Sequence, residues 1–286
     1  MYNPFVEGAT ETSDEELAAR AQSGDRAALE QLVIRHQPWI FNLVVRMIWS
    51  VDDAEDLTQD ILVKMIKGLH SFHGDSRFRT WLYRVALNQV FTFKNQRVGE
   101  PVYTYDSFAQ DLDQTPDGDL RTTDDAEKRL LIEEAKIICT MAMLLCLDGR
   151  QRAAYILGEI FAVTDSVGAE VLEVSPANFR QILSRARRDL YSFLQGKCGL
   201  INQANPCRCA RKTQGFIDAG VMRADRVQFA EGHKRRIRDV APSRLHELEE
   251  TADRLHGELF RDHPFLDARL QSDLVRRALD EVSGSV

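Results

Sequence analysis

Apolar residues along the chain recur mostly at three- and four-residue spacing, and strand-type alternation is scarce. Leu29, Leu32, Val33, His36, Ile40, Leu43, Val44 and Met47 share one helical face, with Pro38 expected to bend the element. Ahead of it, Ser13-Asp-Glu-Glu16 spells a capping box and predicts a helix ending at the Ser23-Gly24-Asp25 turn. Asp52-Asp-Ala-Glu-Asp56 opens the next helix with acids that the helix dipole favours, and Leu57, Ile61, Met65 and Leu69 line its apolar face. A further helix is expected over residues 77–97. Helical periodicity returns at Leu130, Leu131, Ile137, Ile138, Met141, Leu144 and Leu145. Shorter helices follow at 149–162, 164–172 and 176–194, the last opened by Ser175-Pro176 in cap and first-turn order. After Gly196 comes a loop-rich stretch, KCGLINQANPCRCARKTQGF, and then helical patterns at 217–239, 243–262 and 267–281. The predicted fold class is all-α.

Charge divides the chain more sharply than hydropathy does. The total is −7, which taken alone argues against a nucleic-acid ligand. Residues 97–127, however, hold nine acids against Arg97 and Arg121, a local −7, so the remainder sums to zero. Residues 98–125, with two Pro and little periodic apolar content, read as an acidic flexible linker. Residues 197–238 carry ten Lys/Arg against three acids, and 239–286 eleven acids against six Arg. No apolar run reaches the roughly 18 residues of a membrane span, and the acidic N-terminus MYNPFVEGATETSDEE has no secretory h-region. Five scattered cysteines point to a reducing, cytoplasmic compartment rather than a disulfide framework.

Three constellations carry candidate chemistry. Segment 164–194 reads as a helix-turn-helix in which Val171, Val174, Phe179 and Leu183 hold the two helices together. Its second helix presents Asn178, Arg180, Gln181, Arg185, Arg187 and Arg188 in a pattern suited to major-groove entry. A helical hairpin with a solvated basic face is the alternative. The corner FHGDSRFRTW gathers rings and cations; such rings can stack unpaired bases, and they can equally pack a small bundle. Asp52, Glu55, Asp56, Gln59 and Asp60 form an acidic stripe, either a solvated face or a docking surface for a partner protein.

The stretch DAEDLTQDILVKMIKGLHSFHGDSRFRTWLYRVALNQV resembles region 2 of bacterial RNA polymerase sigma factors, in the extracytoplasmic-function (ECF) group of the sigma-70 family. SDEELAARAQSGDRAALEQLV resembles the start of that region, and DGRQRAAYILGEI with TDSVGAEVLEVSPANFRQILSRARRDL is similar to region 4. The resemblance implies region 2 over 1–97, the acidic linker over 98–125, region 4 over 126–196 and a small helical extension over 197–286. Carried over, contact with the polymerase β′ clamp falls on Asp53, Glu55, Asp56, Gln59 and Asp60. Capture of a flipped −10 base falls on His73, Gly74, Asp75, Ser76 and Arg77, and −10 reading and melting on Arg79, Thr80, Trp81, Tyr83, Arg84 and Asn88. Reading of the −35 element falls on Asn178, Arg180, Gln181, Arg185, Arg187 and Arg188. Two positions depart from the family pattern: Glu173 stands where a turn glycine is usual, and Gly168 where an apolar residue is usual. In the family the linker threads polymerase channels built for nucleic acid. The implied partners are core RNA polymerase, through the β′ clamp and β flap, promoter DNA, and an anti-sigma factor.

Two other function classes compete: a stand-alone helix-turn-helix regulator, and a helical anti-sigma-like adaptor. An enzyme is not expected, because no P-loop, nucleotide fingerprint or nucleophile–base pair occurs, and His36, His70, His73, His246, His256 and His263 lack partnered motifs. Cys139 and Cys146 read as small core residues. Cys198, Cys207 and Cys209 form a candidate structural zinc set, with His233 as fourth ligand. Redox-active thiols, favoured as thiolates by Lys197, Arg208, Arg211 and Lys212, and inert loop cysteines are the alternatives.

Overall fold

A computed structural model describes residues 12–96 and 103–227, together with Phe260. In chain order its helices are α1 (Asp14–Gln22), α2 (Arg26–Ile48), α3 (Val51–Gly68), α4 (Phe78–Gln96), α5 (Tyr105–Gln114), α6 (Asp125–Leu145), α7 (Gly149–Tyr155), α8 (Asp165–Val171), α9 (Pro176–Lys197) and α10 (Cys209–Asp218). A 3-10 turn, Leu69–Ser71, follows α3, and a π-turn, Ile156–Ile160, continues α7. Among the described residues there is no β-strand, so the fold is all-α. No described helix is long and apolar enough to cross a membrane.

Helix starts are fixed by side-chain caps. Ser13, Asp25, Ser50, Asp124 and Thr164 each accept a backbone N–H from the first turn that follows, satisfying donors no helix can satisfy for itself. Pro38 is accommodated inside an uninterrupted α2, and Asn42 donates its side-chain amide to the Pro38 carbonyl at 2.8 Å.

The chain forms two compact units. Of the described residues, 12–96 and 149–184 make the first; 103–148 and 185–227 make the second. In the first, α1–α4 close around Leu17, Leu32, Leu43, Met47, Ile61, Leu62, Phe78 and Leu82, all fully buried. Residues 149–184 pack onto this bundle. Arg152 donates to the Met47 carbonyl, and Phe161 sets its ring edge-on against Trp39 and Tyr83. One of the two departures from the family pattern has a steric origin here. A Cβ on Gly168 would lie 2.3–2.8 Å from the ring of Phe179, so the absent side chain is what lets that ring into the core. Glu173 adopts φ 54°, the left-handed turn, without being glycine.

In the second unit, part of the stretch expected to be extended is helical. Thr104 and Ser107 form a reciprocal capping box at the start of α5, and Phe108 and Leu112 are buried. Phe108 stacks on Phe193 at 5.4 Å, so tertiary burial overrides the Asp-rich composition. The loop expected after Gly196 also contains α10, while 219–227, where a helix was expected, are turns and bends. The patterns at 243–262 and 267–281, apart from Phe260, and His233 lie outside the described residues.

Candidate nucleic-acid and polymerase interface

The corner between α3 and α4 is built from beneath by α1. Gln22 donates its side-chain amide to the carbonyls of Leu69 (2.8 Å) and Phe72 (2.7 Å), and Glu15 accepts the Phe78 N–H at 2.9 Å. Asp14, fully buried, accepts from Arg35 and Arg79, and His36 Nε2 lies 3.1 Å from it. Burial pushes the Asp14 carboxyl up, but the contacts and charges of His36 and Arg79 outweigh it and hold the group well below the usual carboxylate range. Burial pushes His36 down against the pull of Asp14, which leaves the two guanidinium groups as the cations of this cluster at neutral pH.

On that base Phe72, Phe78 and Trp81 form a ring cluster with centroid distances of 5.4–5.6 Å. From it projects the loop 73–77: His73, Gly74, Asp75 and Arg77 are exposed and Ser76 is half-buried. Gly74 has φ 81°, a conformation glycine alone adopts without strain. Trp81 and Arg84 are half-buried and Asn88 is exposed. Arg79, Thr80 and Tyr83, expected to face DNA, are instead interior: Arg79 is held by Asp14, and Tyr83 lies under Phe161. Burial raises the Tyr83 hydroxyl pKa well above its ordinary value.

Along α3, Asp52, Asp56 and Asp60 are exposed at four-residue spacing, flanked by half-buried Asp53, Glu55 and Gln59. On α9, Asn178, Arg180, Gln181, Arg185, Arg187 and Arg188 are all exposed, while Phe179, Leu183 and Ala186 are buried. Ser175 accepts the Asn178 N–H at 3.2 Å, and Arg180 lies 3.3 Å from Asp165 of α8.

Comparison with known proteins gives the family of the chain. The sigma-70 region 2 family matches residues 32–97. RNA polymerase sigma-H factor of Pseudomonas aeruginosa is 31% identical over 190 residues, which span 65% of this chain and 96% of the relative. The ECF RNA polymerase sigma-E factor of Escherichia coli K12 is 30% identical over 187 residues, spanning 64% and 95%. Among solved structures, CnrH in complex with the cytosolic domain of CnrY aligns with a TM-score of 0.47 at 24% identity, over 65% of this chain and 99% of that one. The chain is an RNA polymerase sigma factor of the ECF group of the sigma-70 family.

The matched relatives leave about a third of this sigma factor uncovered, and much of its cysteine content lies beyond α9. Cys198 and Cys207 face each other across an isolated parallel β-bridge, and all five cysteines are free thiols. Among the described residues, which do not include His233, no group of three His, Cys, Asp or Glu side chains that could hold a metal ion is formed. The reactive-thiolate alternative meets a physical obstacle. Burial, the largest cause, raises Cys207 despite Lys212 and Arg208, and raises Cys209 to about 11. Cys139 and Cys146 are half-buried, and burial raises the Cys139 thiol well above its ordinary value. Arg208, expected to favour a thiolate, is exposed and donates to the carbonyls of Gln203, Asn205 and Cys207.

Sequence reasoning missed Asp14, Glu15 and Gln22. An acid at the first turn of a helix reads as dipole-compensating surface, and only the co-occurrence of half-buried Arg35 with buried His36 and Arg79 at long range would have revealed a socket.

Proposed function

We propose that this sigma factor docks on core RNA polymerase through the acidic face of α3, captures an unpaired −10 base at the 73–77 loop, and reads the −35 element with α9. The observation that carries this reading is the corner: an exposed loop on a packed three-ring platform, with Arg77 at its edge. Flipping a base costs a few kcal/mol, and stacking returns about 1–3 kcal/mol per base. A rigid platform therefore matters, because ordering the loop at the moment of binding would consume that margin. The base-facing set under this reading is His73, Gly74, Asp75, Ser76, Arg77, Trp81, Arg84 and Asn88; Arg79, Thr80 and Tyr83 act by positioning. Core polymerase and promoter DNA are the partners the reading requires, an anti-sigma factor is a third carried over from the family alone, and the compartment is the cytoplasm. No catalysis is assigned to the chain itself.

The test is run-off transcription with purified core polymerase and a promoter mapped by genome-wide start-site sequencing. Gly74→Val and Ser76→Ala should leave core binding intact and reduce permanganate reactivity of the −10 thymines. Unchanged −10 opening in both variants would remove the loop from the site. Specific binding to duplex DNA without core would favour a stand-alone regulator.

A further inference from the structure

We propose that α10 and the loop preceding it form an intramolecular receptor for the acidic segment 113–121, so that the free sigma factor holds its own linker and core polymerase must displace it. The inference rests on the sigma reading above, in which that linker enters a cationic path of the polymerase. The contacts run along the whole segment. Asp113 pairs with Lys197 at 2.7 Å, and Asp117 with Lys212 at 3.2 Å and Arg211 at 3.5 Å. The Gly118 N–H donates to the Arg211 carbonyl at 2.9 Å, and the Arg121 N–H to the Gln214 side-chain oxygen at 3.1 Å. Lys212 also donates to the Thr115 carbonyl.

Two features make this recognition rather than general attraction between an acidic and a basic stretch. First, the charge order reverses at the end: Arg121 of the linker pairs with Asp218 of α10 at 2.9 Å, which fixes direction and register. Second, α10 presents Gly215 at the closest approach. A Cβ there would stand 2.5 Å from the Thr115 side chain and 2.7 Å from the Pro116 carbonyl. The main-chain donors of Gly118 and Arg121 are satisfied by α10, so the segment cannot lie on α10 and be threaded elsewhere at once. The clasp is also built to open. Arg211 and Arg121 are mostly exposed, so their ion pairs are individually weak and screened by salt. Three of the cations of residues 197–227, Lys197, Arg211 and Lys212, are thereby engaged by the linker.

The experiment uses the full chain and two independent perturbations. Gly215→Ala improves intrinsic helix propensity in α10 while placing a methyl against the linker; Asp117→Lys reverses the central charge, and Asp117→Lys with Lys212→Asp restores it. Hydrogen exchange of the peptide covering 113–121 and titration with core polymerase are read on each protein. The expected result is about tenfold faster exchange in both single variants, tighter core binding by up to the inverse of the wild-type open fraction, and return of both towards wild type in the charge swap. Faster exchange with unchanged core affinity would reduce the clasp to a structural contact and overturn the proposal, as would unchanged exchange. Failure of every protein, wild type included, to bind core would instead refute the sigma reading and the proposal with it.

Discussion

Replacing Asp14 with Asn tests the socket under the −10 corner. Asn keeps the volume and removes the charge, so no cavity complicates the comparison. Wild-type Asp14 is fully buried and neutralises Arg79, whose side chain is 11% exposed, and Arg35, which is 22% exposed. Breaking a buried ion pair from one side costs about 3–5 kcal/mol, because the remaining charge stays desolvated. Arg35 is open enough to turn to water, which places the expectation near the lower bound, about 3 kcal/mol. At about 2–4 °C per kcal/mol for a protein of this size, the melting temperature should fall by about 6–12 °C. The pH dependence supplies a second constraint. The folded-state pKa of Asp14 is depressed, so its stabilisation is present above the ordinary carboxylate value of about 4 and is lost as pH falls below it. The gap between wild type and Asp14→Asn should therefore be level from pH 5 to 8 and should narrow below pH 4. Thermal melts followed by circular dichroism across that range measure both. A variant within 1 kcal/mol of wild type at pH 7, or a gap undiminished at pH 2, would refute the assignment of Asp14 as the counter-charge.

The remaining predictions concern the other surfaces. Gly168→Ala should gain up to about 1 kcal/mol in helix propensity but lose about 1–3 kcal/mol to overpacking against Phe179; denaturant melts should show net loss, relieved by Phe179→Leu. Asp56→Lys, at an exposed site, should change stability by no more than about 0.5 kcal/mol yet weaken core polymerase binding at least tenfold, read by fluorescence titration. On α9, Gln181→Ala should alter preference at one −35 position by about 1–3 kcal/mol. Arg188→Ala should instead weaken all promoters alike and reduce the salt slope by about one. Equal behaviour of those two variants in holoenzyme binding assays would deny the division of α9 into base-facing and phosphate-facing residues.

Legibility in the sequence followed the range of the interactions. The helices α1 to α4 and α9 were readable because capping, dipole and periodicity signals all act within about two turns. The sign-segregated stretches were readable too, since charge needs no geometry. What escaped depended on distant partners. Helix α5 looked like solvated linker until Phe193 supplied a ring for Phe108, and α10 looked like cysteine loop until residues 115–121 supplied the other half of its contacts. The reading of α4 erred for the same reason: Arg79 and Tyr83 fall on a face that local periodicity left open, and Asp14 and Phe161 close it from 65 and 78 residues away.

These cases share one physical rule about cations in an acidic chain. A basic residue in the sequence announces a potential anion ligand, but the fold decides which anion it takes. Arg79 takes a buried carboxylate, Arg208 takes three carbonyls, and Lys197, Arg211 and Lys212 take the linker. The arginines of α9 and Arg77 at the corner are exposed, with Arg180 also paired to Asp165 and Arg188 to Asp189. Under the proposed function a chain of net charge −7 can meet promoter DNA through these cations, because nine of its acids lie together in residues 97–127 and two of them, Asp113 and Asp117, pair with cations of its own extension. Opening of that clasp in the holoenzyme would expose cations of α10 at the same moment as it frees the linker. The salt dependence of promoter binding should then be steeper for holoenzyme containing Arg211 and Lys212 than for holoenzyme in which both are alanine. Identical slopes would mean that the cations stay with the linker throughout initiation.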